Sequence, residues 1–234
     1  MLQENILTNK TIYGFGDSLI AGHFNGIGML DYVAKSNHMH LQKYAANGAS
    51  VIPHEPFSFP DMEGIVYDIG RQIDLAPETV PDFICFNGMT NDAKNPTVIA
   101  NPGQITEGYD GNYDTTTFCG AFETICFKLR EKYQNSIILY ICPHKMPTRT
   151  QMAQDTLQSC VRKICHKWSI PYVDIYNKGG INTCIDSMRS EFSYNRPMEN
   201  DNGDGTHLNP DGYRLWYAPM IEHALLTHGR KSTY

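Results

Sequence analysis

Two short polar segments contain the side chains that nucleophilic acyl transfer requires. Ser18 lies in Gly-Asp-Ser-Leu at positions 16–19, and His207 ends Asp-Gly-Thr-His at positions 204–207. A serine hydroxyl is a weak nucleophile until a neighbouring base removes its proton, and histidine titrates in the right range for that task. Asp204 could accept the other ring N–H of His207 and fix its tautomer. The sequence therefore predicts a triad of Ser18, His207 and Asp204.

Two further segments, Asn47-Gly48 and Thr90-Asn91-Asp92, offer hydrogen-bond donors for an oxyanion. The tetrahedral intermediate of acyl transfer carries this negative charge and needs preorganised donors. We predict that the backbone N–H groups of Ser18 and Gly48 and the side-chain amide of Asn91 supply them. Gly48 suits this role because a residue without Cβ lets a ligand approach the backbone. Asp17 and Asp92 are expected to support the site by accepting loop N–H groups.

Taken in order, these four segments resemble the four blocks of the GDSL/SGNH hydrolases, a family of lipases, esterases and lysophospholipases. The resemblance extends from Gly16 to His207. It implies a flavodoxin-like sandwich and a Ser–His–Asp ester hydrolase that uses no cofactor. One position departs from the family pattern: the third block usually reads Gly-x-Asn-Asp, and Met89 stands where its glycine is expected. The serine also lacks the Gly-x-Ser-x-Gly setting of the α/β-hydrolase fold.

The elements that must position these segments alternate between strand and helix patterns. Apolar runs predict strands at 11–15, 41–46, 82–87, 136–141 and 171–175. Helical spacing predicts helices at 28–37, 64–75, 115–133 (with Asp114 as N-cap), 150–168 and 210–226. This order predicts one domain over residues 1–234, a three-layer α/β/α sandwich around a mostly parallel, flavodoxin-like five-stranded sheet. Each polar segment then lies beyond the carboxyl end of a strand, where such sheets bind ligands. Long loops are expected at 93–114 and 177–203.

Composition narrows the classes of partner. The formal net charge is -6 without a basic run, which argues against nucleic-acid binding. No apolar stretch approaches the roughly 20 residues of a membrane span, and no secretory signal pattern opens the given chain, so we expect a cytoplasmic protein, with a secreted mature form left open. The seven cysteines show no C-x-x-C spacing and are expected to be buried free thiols. His23, His54 and His144 show no metal-ligand spacing, so neither a metal nor a cofactor is predicted.

Several alternatives stay open from sequence alone. The substrate is expected to be a small carboxylic ester, with a short acyl or acetyl group, possibly on a carbohydrate. A non-catalytic module that binds a glycan or acyl group is the alternative function. The segment 200–211 resembles the start of a calcium loop. Tyr109 and Tyr113 could line a substrate pocket or serve only packing. The sequence carries no signal of oligomeric state.

Overall fold

The computed structural model describes residues 5–23, 25–53, 67–194 and 203–229. Within them, five strands form one sheet in the order β2-β1-β3-β4-β5, and every neighbouring pair is parallel. The strands are β1 (Thr11–Phe15), β2 (His40–Lys43), β3 (Phe83–Phe86), β4 (Ile137–Cys142) and β5 (Tyr172–Asp174). This order is that of a doubly wound, flavodoxin-like sheet, so the predicted fold class is confirmed.

Helices cover both faces of the sheet and fill the connections. They are α1 (Ser18–Ala21), α2 (Met29–Ser36), α3 (Ile69–Leu75), α4 (Pro96–Ala100), α5 (Phe118–Lys132), α6 (Gln151–Lys167), α7 (Ile175–Lys178), α8 (Asp186–Phe192), α9 (Pro210–Gly212) and α10 (Ala218–His228). A π-helical segment, Tyr213–Tyr217, joins α9 to α10. None of the helices in the described ranges combines the length and the apolar character needed to cross a membrane.

The core consists of two apolar clusters, one on each face of the sheet. The first includes Tyr13 and Phe86 of the strands and residues of α3, α5 and α6. The second includes Ile12 and Leu139 of the strands and residues of α2 and α10. Strands β3 and β4 are buried on both faces, which is why their sequences are nearly continuous in apolar residues. The molecule is therefore the three-layer sandwich that the sequence predicted.

The N-terminus of α5 differs from the prediction. Thr117 is the N-cap, and its hydroxyl accepts the N–H of Gly120 at 3.3 Å. Asp114 is not the cap, because its carboxylate closes the preceding turn by accepting the N–H and the hydroxyl of Thr116 at 3.0 and 2.6 Å. Asp68 caps α3, which begins at Ile69; positions 64–66 of the predicted helix lie outside the described residues.

The prediction of loops at 93–114 and 177–203 was partly wrong, because both segments contain short helices. A 3₁₀ turn (Asp92–Lys94) and α4 lie in the first, and the end of α7 and the whole of α8 lie in the second. These helices bury little: Val98 is the buried residue of α4, and Phe192 that of α8. A helix with one buried residue shows no apolar periodicity, so the pattern from which helices are predicted is missing there.

The cysteines follow the prediction with two exceptions. All seven are free thiols, and five of them are buried. Cys160 is half-buried and Cys184 is exposed. The buried ones behave as small apolar side chains of the core, as expected for free cysteine.

Candidate active site

The proposed nucleophile lies in a sharp turn between β1 and α1. Gly16 follows the strand with φ +146°, a conformation that a residue with Cβ rarely adopts. Asp17 is the N-cap of α1, and its carboxylate accepts the N–H of Leu19 at 2.9 Å. Ser18 is thus the first helical residue and not the cap. Ser18 is 5% exposed and lies at the carboxyl edge of the sheet.

Two buried amides that the sequence analysis missed hold this turn. Asn87, directly after β3, accepts the N–H of Asp17 at 3.1 Å and donates to its carboxylate at 2.7 Å. Gln72 of α3 accepts the N–H of Gly16 at 2.9 Å and donates to its carbonyl at 3.0 Å. A Cβ on Gly16 would lie 1.9 Å from Oδ1 of Asn87. The turn therefore requires glycine, and the two amides satisfy its backbone polar groups.

The three predicted triad residues meet at this edge. Ser18 Oγ lies 2.8 Å from His207 Nε2, and His207 Nδ1 lies 2.5 Å from Asp204 Oδ2. An ionised carboxylate only accepts hydrogen bonds, so Nδ1 carries the proton and Nε2 is the acceptor for the serine hydroxyl. This is the tautomer that a general base needs.

Asp204 also shapes the turn that carries His207. Its Oδ1 accepts the backbone N–H groups of Thr206 and His207, each at 2.8 Å. Burial by itself raises the pKa of the Asp204 carboxyl, but the hydrogen bonds from His207 and Thr206 outweigh burial and hold the pKa below its usual value. The carboxylate is therefore ionised when the imidazole must become positive.

Of the three predicted oxyanion donors, Ser18 lies at the start of α1, and Gly48 and Asn91 lie on two neighbouring loops. Gly48 has φ +86°, which explains the glycine there. The amide of Asn91 donates to the carbonyl oxygen of Ala49 at 2.8 Å and so ties the two loops together. An amide nitrogen carries two N–H groups, so this anchoring bond leaves one that can serve an oxyanion.

Asp92 makes the loop contacts that were expected of it. Both of its oxygens accept the N–H of Val51, at 3.1 and 3.0 Å, and Oδ1 accepts the N–H of Ile52 at 3.0 Å. Burial raises the pKa of Asp92 to about 6 despite these donors. The carboxyl group thus fastens the loop that carries Gly48 to the end of β3.

Met89, the departure from the family pattern, shows why glycine is usual at this position. Its φ is +85°, in the region that L-residues other than glycine rarely occupy. Its side chain is only 2% exposed and belongs to the core cluster that includes Phe86. The chain therefore combines a strained backbone with a buried apolar side chain where the family pattern has neither.

His144 is a third residue whose role the sequence did not reveal, after Asn87 and Gln72. It is fully buried, and its Nε2 lies 3.0 Å from the carbonyl oxygen of Gly205, in the turn between Asp204 and His207. A carbonyl can only accept, so Nε2 carries the proton, and Nδ1 accepts the hydroxyl of Tyr217 at 2.7 Å. Burial lowers the pKa of His144 to about 4. The neutral ring thus connects the turn of Asp204 and His207 to Tyr217 of the π-helical segment. Short π-helical segments are frequent near functional sites.

The remaining candidates lie away from the triad. Tyr109 and Tyr113 pack edge-on against Trp168 and around Lys167, which pairs with the buried Glu123. They serve packing in this structure.

The calcium-like segment is described only in part. Asp204 binds His207, and Asp211 pairs with Arg214 at 2.9 Å. Residues 200–202 of this segment and His54 lie outside the described ranges. Within those ranges, no group of three or more His, Cys, Asp or Glu side chains is placed to hold a metal ion.

Comparison with known proteins assigns the chain to a family. The family model of the GDSL-like lipases and acylhydrolases matches residues 12–220, and the chain belongs to that family. Membership implies a hydrolase that acts on esters. No curated protein matches the sequence significantly.

Solved structures share the fold at low sequence identity. A protein from Lactobacillus plantarum is 17% identical with a TM-score of 0.74, over 94% of this chain and 98% of its own. A possible lipase from Chitinophaga pinensis is 15% identical with a TM-score of 0.66, over 94% and 98%. Phospholipase A1 from Streptomyces albidoflavus is 15% identical with a TM-score of 0.61, over 92% and 99%. At these identities the likeness concerns the fold.

Proposed function

We propose that the protein is a serine esterase that hydrolyses small carboxylic esters through an acyl-enzyme intermediate. The observation that carries the proposal is the chain of contacts from Ser18 Oγ to His207 Nε2 at 2.8 Å and from His207 Nδ1 to Asp204 at 2.5 Å. Three side chains separated by up to 189 positions meet in the order and tautomer that base-assisted serine attack needs.

The reaction has two halves. In the first, His207 Nε2 takes the hydroxyl proton as Ser18 Oγ bonds to the ester carbonyl carbon. The carbonyl oxygen becomes an oxyanion that accepts hydrogen bonds from Ser18 N–H, Gly48 N–H and the Asn91 amide. The imidazolium then gives its proton to the leaving alcohol, and the acyl-enzyme remains. In the second half, water replaces the alcohol and the same steps release the acid. Each oxyanion donor contributes about 2.7–4 kcal/mol of transition-state stabilisation.

We further propose short acyl groups, acetyl first, with a carbohydrate as one source of the alcohol. This preference rests on the sequence, which has no long apolar stretch suited to a lipid chain. The seven free cysteines favour a reducing compartment, and on that ground we propose a cytoplasmic location.

The test is hydrolysis of p-nitrophenyl acetate, butyrate and octanoate by the wild type, Ser18→Ala and Ser187→Ala. Ser187 is an exposed residue of α8 and serves as the matched control. We expect turnover by the wild type and the control, highest with acetate, and none by Ser18→Ala at an unchanged melting temperature. Wild-type rates in Ser18→Ala, or no turnover of any ester by the wild type, would contradict the proposal.

A further inference from the structure

A pocket opens beside His207. His23 and Ile27, from the segment between α1 and α2, line the pocket together with Tyr32 of α2. Tyr213, at the start of the π-helical segment, also lines it. Among the described residues that line it, none comes from 47–49 or 90–92. The pocket therefore begins at the base of the triad and not at the oxyanion donors.

His23 fixes the position of the pocket relative to the triad. Its ring stacks on that of His207, with centroids 3.7 Å apart and planes inclined by 4°. The carbonyl oxygen of His23 accepts a hydrogen bond from the Asn47 amide at 3.2 Å, which anchors the segment to the second block. The ring of His23 thus covers one face of the His207 imidazole, and both residues line the pocket.

The direction of proton transfer decides which part of the ester this pocket can hold. In acylation the carbonyl oxygen must face Gly48 and Asn91, whereas the leaving oxygen must reach the protonated Nε2 of His207. The alcohol part therefore lies on the His207 side of the scissile bond. We propose that the pocket binds this alcohol part and that it selects a neutral cyclic polyol such as a sugar ring. The inference rests on the proposed esterase function.

The lining explains the preference for a neutral ring. Among the described lining residues there is no carboxylate, ammonium or guanidinium, so these residues offer a charged headgroup no permanently charged partner. The nearby ammonium of Lys43 is held by Asp31 at 2.8 Å. Tyr32 and Tyr213 form flat walls, with rings 6.3 Å apart and inclined by 27°. Aromatic faces with hydroxyl groups at their edges suit a ring that is apolar on its faces and polar at its rim.

The test uses competition between water and alcohols for the acyl-enzyme. Attack by an alcohol is the reverse of acylation, so the alcohol must occupy the leaving-group site. With p-nitrophenyl acetate as donor, the products are counted as acetate and acetylated alcohol. The acceptors, at equal concentration, are methyl β-D-glucopyranoside, ethanol and glycerol 3-phosphate. The ratio of the two products describes deacylation alone, so it is independent of the acylation rate.

We expect saturable transfer to the glucoside that exceeds transfer to the other two acceptors by about tenfold. Ile27→Trp, which fills the pocket from a half-exposed position, and Tyr32→Ala should each remove most of this preference. Tyr109→Ala, in the distant cluster around Trp168, is the matched control and should keep it. Equal transfer to all three acceptors, preference for glycerol 3-phosphate, or an unchanged ratio in both pocket variants would overturn the inference.

Failure of the esterase function would be recognised separately, because no p-nitrophenol would be released and no acyl-enzyme would form. Binding of the glucoside is then measured by saturation-transfer NMR on the wild type and Ile27→Trp. A signal lost in the variant supports the pocket. An absent signal, or one equal in both proteins, overturns it.

Discussion

The variant Met89→Gly should be more stable than Met89→Ala. This reverses the usual order, in which a glycine variant is less stable than the alanine variant at the same position. Both changes remove the same buried side chain, at a cost of about 2–5 kcal/mol for methionine to alanine. Elsewhere glycine is worse than alanine by about 0.5–1 kcal/mol, because it loses more conformational freedom on folding. At φ +85°, however, alanine keeps a Cβ clash of about 1–2 kcal/mol that glycine lacks. From the midpoints of these two ranges, the net advantage of Met89→Gly over Met89→Ala is about 0.75 kcal/mol.

Urea unfolding measures this difference in stability as a shift of the midpoint urea concentration, provided that the dependence of the unfolding free energy on urea concentration is the same in both variants. The matched control is Met146, which is equally buried and is absent from the residues with positive φ. There the alanine variant should be the more stable of the pair. If Met89→Ala is as stable as Met89→Gly, or more so, the strain assigned to this position is not present.

Four further predictions concern the groups around the triad. Asp204→Asn should lower kcat on p-nitrophenyl acetate by about 10⁴-fold because it favours the wrong tautomer of the base, at an unchanged melting temperature; near-normal kcat would refute its role. Asn87→Ala should lower both kcat and the unfolding free energy, the latter by about 1–3 kcal/mol, since it removes the acceptor of the Asp17 N–H and one of the donors to the Asp17 carboxylate; kinetics together with urea unfolding decide this, and a variant unchanged in both would argue against this role of Asn87. The folded pKa of Asp92, about 6, lies above its unfolded value of 3.8, so its contribution to stability is present below pH 3.8 and is lost as the pH rises through 6. Between pH 4 and 7 the stability of Asp92→Asn should therefore rise relative to that of the wild type by about 2 kcal/mol in urea unfolding, and a constant gap would contradict the raised pKa. His144 has the opposite sign, because its folded pKa of about 4 lies below 6.5 and stability is lost as the pH falls between them. His144→Phe should be less stable than the wild type at pH 7 by a gap that narrows toward pH 4.5, and a gap that widens would count against the neutral ring.

The sequence predicts the sheet, and the polar segments at its edge, because their signals are local. An apolar run followed by Gly-Asp-Ser places Ser18 at a strand end without knowledge of any distant residue, and Asp204 and His207 belong to one turn. The parallel order of the strands then brings the two segments to the same edge.

What the sequence does not predict depends on contacts between distant positions. Gln72 reads as a polar residue on a helix, and only the folded chain places it against Gly16, 56 positions away. Asn87 and His144 are likewise recognisable only from the backbone groups they meet. Met89 is noticed as a departure from the family pattern, but its positive φ and burial come from the structure alone.

The most direct test of the account is whether Ser18 is an activated nucleophile. The folded wild type, its urea-unfolded form and Ser18→Ala are treated with a fluorophosphonate, and intact mass and peptide mapping locate the adduct. We predict one adduct on the folded wild type, at Ser18, and none on the unfolded protein or on Ser18→Ala, because only the hydroxyl held 2.8 Å from His207 Nε2 is activated. No adduct on the folded wild type, or an equal adduct on Ser18→Ala, would contradict the account.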